Sequence, residues 1–93
     1  MLFALKVKAH IAMPDNCYLV KTSIKYARDS SGRQVWKHKS GCAPYRSWLM
    51  TWDGEKGEIE VFDIITLNHL GVLHPNGDAK GTAIRGRRLR LNT

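Results

Sequence analysis

Short runs that alternate apolar and polar residues dominate the chain, and turn residues separate them. In Phe3-Ala4-Leu5-Lys6-Val7-Lys8-Ala9-His10-Ile11 the odd positions are apolar and Lys6, Lys8 and His10 fall on the even ones. Tyr18 to Tyr26 alternates the other way, with Val20 and Ile24 on one side and Lys21, Ser23 and Lys25 on the other. Successive strand side chains point to opposite faces, so each run predicts a strand with one dry and one cationic face. The predicted strands are 2–13, 17–27, 33–39, 45–52, 58–65 and 80–91. Pro14-Asp15-Asn16, Asp29-Ser30-Ser31-Gly32, Ser40 to Pro44, Asp53 to Gly57 and His74 to Asp78 supply the turns between them.

Two segments break the alternation. Thr66 to Gly71 reads as one helical turn capped by Thr66 and stopped by Gly71. In the last strand Ile84 is apolar on the even register and Leu89 and Leu91 on the odd, so a bulge near Gly86 is expected. The expected fold is mainly β, with a small α+β arrangement as the variant. It is an antiparallel small barrel or bent sheet of five to six strands, OB-like or SH3-like, with at most one short helix near 66–71. Val7, Val20, Ile24, Trp48, Trp52, Val61 and Leu89 form the expected core.

Length adds that residues 1–93 make a single domain. No apolar run is long enough to span a bilayer, and Lys6 and Lys8 interrupt the apolar start where a signal peptide needs an uncharged stretch. The sequence therefore reads as cytoplasmic, with no membrane partner. Cys17 and Cys42 are expected as free thiols in that compartment.

Charge changes the picture more than composition does. The net charge is +7, but residues 51–70, with Asp53, Glu55, Glu58, Glu60 and Asp63 against Lys56, carry −4. The flanking segments carry +7 and +4, so an acidic hairpin sits between basic stretches. Arg85-Gly86-Arg87-Arg88-Leu89-Arg90 places four arginines in six positions, a density suited to phosphates or to a protected edge strand. Aromatics concentrate in 18–52; Trp48, Met50 and Trp52 share the inward phase, whereas Trp36, flanked by Lys37, is the expected exposed ring.

Candidate chemistry is sparse. His38 and Cys42, and His69 and His74, lack the tight paired spacing of a structural zinc turn, so neither metal nor cofactor is expected. Glu58 and Glu60 share a strand face and read as the solvated side of the acidic hairpin, although a pair at that spacing can also activate water. No phosphate loop or nucleophile motif is present. Tyr45-Arg46, Trp52-Asp53-Gly54, Ile59 to Ile65 and His69 together resemble the closing hairpin of RelE-type ribosome-dependent RNases over residues 45–69. Those toxins carry two helices between their first and second strands, where this sequence predicts a β-hairpin, so no catalytic residues are transferred.

The leading expectation is a small basic, non-enzymatic β-domain that binds nucleic acid through phosphates with little sequence specificity. Lys6, Lys8, Lys21, Lys25, Trp36, Arg87, Arg88 and Arg90 are the candidate contacts. The alternative is a protein-interaction module or small inhibitor of the kind mobile elements encode, acting by edge-strand pairing, and a small RNase using histidine and arginine is third. An unpaired edge also makes a homodimer an expected assembly.

Overall fold

The computed structural model describes residues 10–92. They form a short helix α1 (Tyr18–Thr22) and the strands β1 (Ser23–Arg28), β2 (Gln34–His38), β3 (Trp48–Asp53), β4 (Glu58–Asp63), β5 (His69–Leu73) and β6 (Ala79–Thr82), with a 3-10 turn at Tyr45–Ser47. Each strand pairs antiparallel with its chain neighbours, so the sheet order is β1-β2-β3-β4-β5-β6. This is the expected mainly β, antiparallel bent sheet, at the upper end of the expected strand count.

Register divides the side chains between two faces. Trp36 lies opposite Met50 and Met50 opposite Val61, which puts all three on the first face. Leu49 opposite Phe62 and Thr51 opposite Glu60 lie on the second. The first face carries a core of Cys17, Leu19, Met50, Trp52, Ile59, Val61 and Leu73, with Met13, Tyr18, Trp36 and Trp48 packed against it. Residues 10–17 and α1 roof this core: the Ile11 N–H donates to the Gly54 carbonyl at 2.6 Å and the Trp52 indole N–H to the Ile11 carbonyl at 2.8 Å. The second core joins Val35, Leu49, Phe62 and Leu89, flanked by Ala27, Ile64, Leu67 and Leu91. Each fully buried aliphatic here contributes about 1.5–3 kcal/mol.

The C-terminal segment 87–91 straps the second core. Leu89 N–H donates to Leu67 O and His69 N–H to Arg87 O, while Ser30 N–H donates to Arg90 O and Asn92 N–H to Arg28 O, all within 2.7–2.9 Å. Isolated bridges Asn68–Arg88 and Asp29–Leu91 mark its two ends. The strap thus ties the end of β1 to the start of β5 across the intervening strands.

Several expectations change. Of the predicted strand 2–13, residues 10–13 are irregular, and Lys6, Val7 and Lys8 lie outside the described residues. The predicted strand 17–27 splits, because Lys21 N–H bonds Cys17 O at 3.2 Å and starts a helical turn. The Thr22 hydroxyl donates back to Tyr18 O at 2.6 Å and ends it. That turn resets the phase: Leu19 is fully buried, while Val20 and Ile24, expected in the core, are 39% and 52% exposed. Trp48 is half-buried, and Trp52, Val61 and Leu89 are buried as expected.

The short helix forms at Tyr18–Thr22, not at 66–71. There the Asp63 carboxylate accepts the Ile65 and Thr66 N–H groups at 2.8 and 2.9 Å, and Leu67 takes a left-handed φ of 62° before β5 begins. The last predicted strand also breaks, because β6 stops at Thr82 and Gly86, at φ 84°, turns the chain into the strap. No described helix is long and apolar enough to cross a membrane.

Candidate nucleic-acid interface

The β3–β4 pairing stacks Asp53 with Glu58, Thr51 with Glu60, and Leu49 with Phe62 along the second face. This row runs from acidic at the hairpin to apolar beneath the strap. Glu58 and Glu60 were expected on a solvated face; they are 6% and 1% exposed. The reason is that β4 is an interior strand whose second face lies beneath the strap and beside β5 and β6. A buried carboxylate needs partners, and the neighbouring elements supply them. Lys80 of β6 reaches Glu58 Oε1 at 2.8 Å. His69 of β5 meets Glu60 Oε2 at 2.5 Å, and Arg87 of the strap stands 3.4 Å from Glu60 Oε1.

The protonation of His69 follows from its second nitrogen. Nδ1 accepts the Ile84 backbone N–H at 2.9 Å, so the ring proton sits on Nε2 and is donated to Glu60. The ring is therefore a neutral donor, and the nearest cation to Glu60 is Arg87. Its contact lacks hydrogen-bond geometry, and Glu60 Oε1 is the buried side-chain oxygen left without a hydrogen bond among the described residues.

Arg87 also lines a polar pocket of about 170 Å³ between the strap and the β1–β2 loop, together with Arg33, Arg88, Arg90, Ser30 and Asp29, over a floor of Thr51, Phe62 and Leu89. Asp29 is the acidic residue in this lining, and the loop occupies it. Its Oδ1 accepts the Ser31 N–H, the Ser31 hydroxyl and the Arg33 N–H at 2.8–3.0 Å. Arg88 donates to the Thr66 carbonyl at 3.0 Å, leaving part of its guanidinium fork available. Arg33 and Arg90 are exposed, and neither guanidinium has a partner among the described residues.

The strap thus brings Arg87, Arg88 and Arg90 together and adds Arg33, which the sequence reading missed. Lys6 and Lys8 fall outside the described residues, and Lys21 sits on α1. Lys25 pairs with Trp36 on the first face, opposite the arginines. Trp36, expected as an exposed stacking ring, is half-buried against the first core. The signal for Arg33 was weak, since a lone arginine after a glycine turn reads as a loop residue. Ile59, Val61 and Phe62 make β4 apolar on both faces, which points to an interior strand, but the partners that bury Glu60 are not visible in that pattern.

A second polar cluster lies on the first face. His38 is 8% exposed; its Nδ1 accepts the Ser40 N–H and its Nε2 meets the Tyr18 hydroxyl at 2.9 Å. Tyr45 stacks on it with ring centroids 4.9 Å apart. Burial, aided by Lys37, holds the imidazole below its usual pKa, and burial together with Tyr45 raises the Tyr18 phenol. Both His38 nitrogens are thus occupied, and Cys42 is an exposed free thiol. The described residues that could hold a metal ion are Asp53, Glu58 and Glu60, whose oxygens approach within 4.8 Å of one another. Lys80 and Arg87 already supply positive charge to this trio.

No family profile, curated protein or solved structure matches the chain.

Proposed function

We propose that this protein binds nucleic acid by its phosphates, in the cytoplasm, at the pocket between the strap and the β1–β2 loop. One observation carries the reading: four arginines converge on a pocket whose acidic lining residue is already hydrogen-bonded to its own loop. Guanidinium groups fork onto phosphate oxygens, and phosphate contacts carry no base information, so low sequence specificity follows. Reversing Arg88 and Arg90 to glutamate tests it, since both are exposed, with circular dichroism checking that loss of the Arg88 bond to the Thr66 carbonyl leaves the fold intact. Wild-type affinity for a single-stranded oligonucleotide should fall with salt at a log–log slope of about −2 to −3 for three to four contacts. The double variant should lose most of that affinity for every sequence alike. If the wild type shows no binding at physiological salt, the reading fails and a protein partner on the β1 or β6 edge takes its place.

A second reading, a small RNase, is favoured by the unpartnered oxygen of Glu60 beside Arg87. A buried carboxylate beside an arginine that itself lines a phosphate pocket has the make-up of a general base with an electrostatic clamp. The 2′-hydroxyl would attack the adjacent phosphorus and give its proton to Glu60. The P–O5′ bond then breaks, and the 5′ oxygen takes a proton from water. Arg87 would leave Oε1 for the phosphate. Incubation with an oligoribonucleotide should yield 2′,3′-cyclic phosphate and 5′-hydroxyl ends, and Glu60→Gln should bind but not cleave. Intact RNA after incubation with the wild type refutes cleavage and leaves binding standing.

A further inference from the structure

We propose that the cavity between α1 and the β5–β6 turn is a nucleobase pocket with a phosphate contact at Lys21. It has a volume of about 310 Å³ and lies apart from the arginine pocket, with Pro14, Pro75, Tyr18, Asn16, Asn76 and Lys21 in its lining. That size is at the lower end of the range for small-ligand sites.

The walls are held in place. Tyr18 N–H donates to Pro75 O at 2.7 Å and Cys17 N–H to Pro14 O at 3.1 Å. The Tyr18 hydroxyl is anchored on His38 Nε2. The opposite wall is a turn closed by His74 N–H to Asp78 O at 2.8 Å and Gly77 N–H to His74 O at 2.9 Å. Gly77, at φ 95°, lets the Tyr18 ring lie against this turn, because a Cβ there would collide with the ring.

The lining chemistry selects the occupant. Two proline rings and the Tyr18 ring give apolar walls against which the face of a base can pack. The Asn76 amide is committed to Asp78 through both its groups. The Asn16 amide is exposed and has no partner among the described residues, so it offers a donor and an acceptor to a base edge. Lys21 is exposed at the same cavity, and no lining side chain is acidic. A flat ring with a polar edge and an attached anion is a nucleotide. The pocket therefore adds base contact to the phosphate grip, and this assignment rests on the nucleic-acid reading above.

Fluorescence anisotropy with a single-stranded oligoribonucleotide, and with the same strand made abasic, separates the two sites. Asn16→Trp, which fills the cavity, should weaken binding of the base-containing strand about tenfold and leave the abasic strand unchanged. Lys21→Ala should weaken both strands by a smaller factor. Arg88→Glu with Arg90→Glu should weaken both strongly. If Asn16→Trp changes neither strand, or both equally, the base pocket is wrong while the phosphate reading stands. Should neither strand bind the wild type, titration with adenosine and cytidine monophosphates decides. Amide shifts confined to 14–22 and 75–77 support the pocket without the phosphate reading, and no shifts there overturn it.

Discussion

Replacing Glu60 with alanine removes the centre of the buried polar row, and its cost can be worked from the contacts. Glu60 is 1% exposed, so truncation opens a cavity that solvent does not readily fill. His69, whose Nδ1 is fixed by the Ile84 N–H, would keep an Nε2–H aimed at nothing. A buried donor left unmade costs about 1–3 kcal/mol. Arg87, with 38% of its side chain exposed, can turn to water and adds little. Removing one partner of a buried pair costs about 3–5 kcal/mol in other proteins, and the relief of the unpartnered Oε1 argues for the lower end. We therefore expect a loss of about 3 kcal/mol, against a total stability of about 5–14 kcal/mol for a domain this size. The three tryptophans, two of them in β3 beside Glu60's strand, report unfolding in urea by fluorescence. Thermal melts should fall by about 12–24 °C. Glu60→Gln, which keeps the shape and still accepts from His69, should lose clearly less than alanine. A loss under about 1 kcal/mol for alanine, with an unchanged urea slope, would mean that Glu60 is solvated and that the buried row does not form.

Gly77→Ala should cost about 1–3 kcal/mol by urea unfolding, since a left-handed φ and the Tyr18 ring both oppose a Cβ, whereas Gly32→Ala meets only the backbone penalty and should lose less. Stability should also fall as pH drops below 6.5, the unperturbed histidine value, because the unfolded chain takes up a proton at His38 that the folded chain, with its imidazole pKa lowered, refuses. Thermal melts between pH 5 and 7.5 should show this slope, and His38→Asn should flatten it.

The turns and the strands β2, β3 and β4 were legible in the sequence because their alternation and their Gly or Asp punctuation agree. Two features hid the rest. Tyr18 to Tyr26 keeps a period of two that fits a strand, yet one backbone bond to Cys17 and one hydroxyl bond from Thr22 convert its first half to a helical turn. That single turn moves Leu19 inward and Val20 outward and takes Lys21 off the sheet, while Lys6 and Lys8 lie outside the described residues. Thr66 to Gly71 reads as a helical turn because Thr66 and Gly71 bracket it, whereas Asp63 caps the turn and releases His69 and the residues after it into β5. The arginine cluster was visible as a run of charge, but its pocket was not, since Arg33 joins it only through a pairing between Asp29 and Leu91. Burial of Glu58 and Glu60 was hidden for the same reason: it depends on β5, β6 and the strap.

The strap also has a consequence for how the molecule is made. The meander from β1 to β6 links each strand to the one synthesised just before it, so its contacts close short loops at low entropic cost. The bridge from Leu91 back to Asp29 closes about three quarters of the described length at once. During synthesis the chain must therefore carry Leu49 and Phe62 on an uncovered face until residues 87–91 have emerged. Three of the four guanidinium groups that line the pocket arrive with that same segment, so the arginine-lined pocket and the second core are completed in one late step.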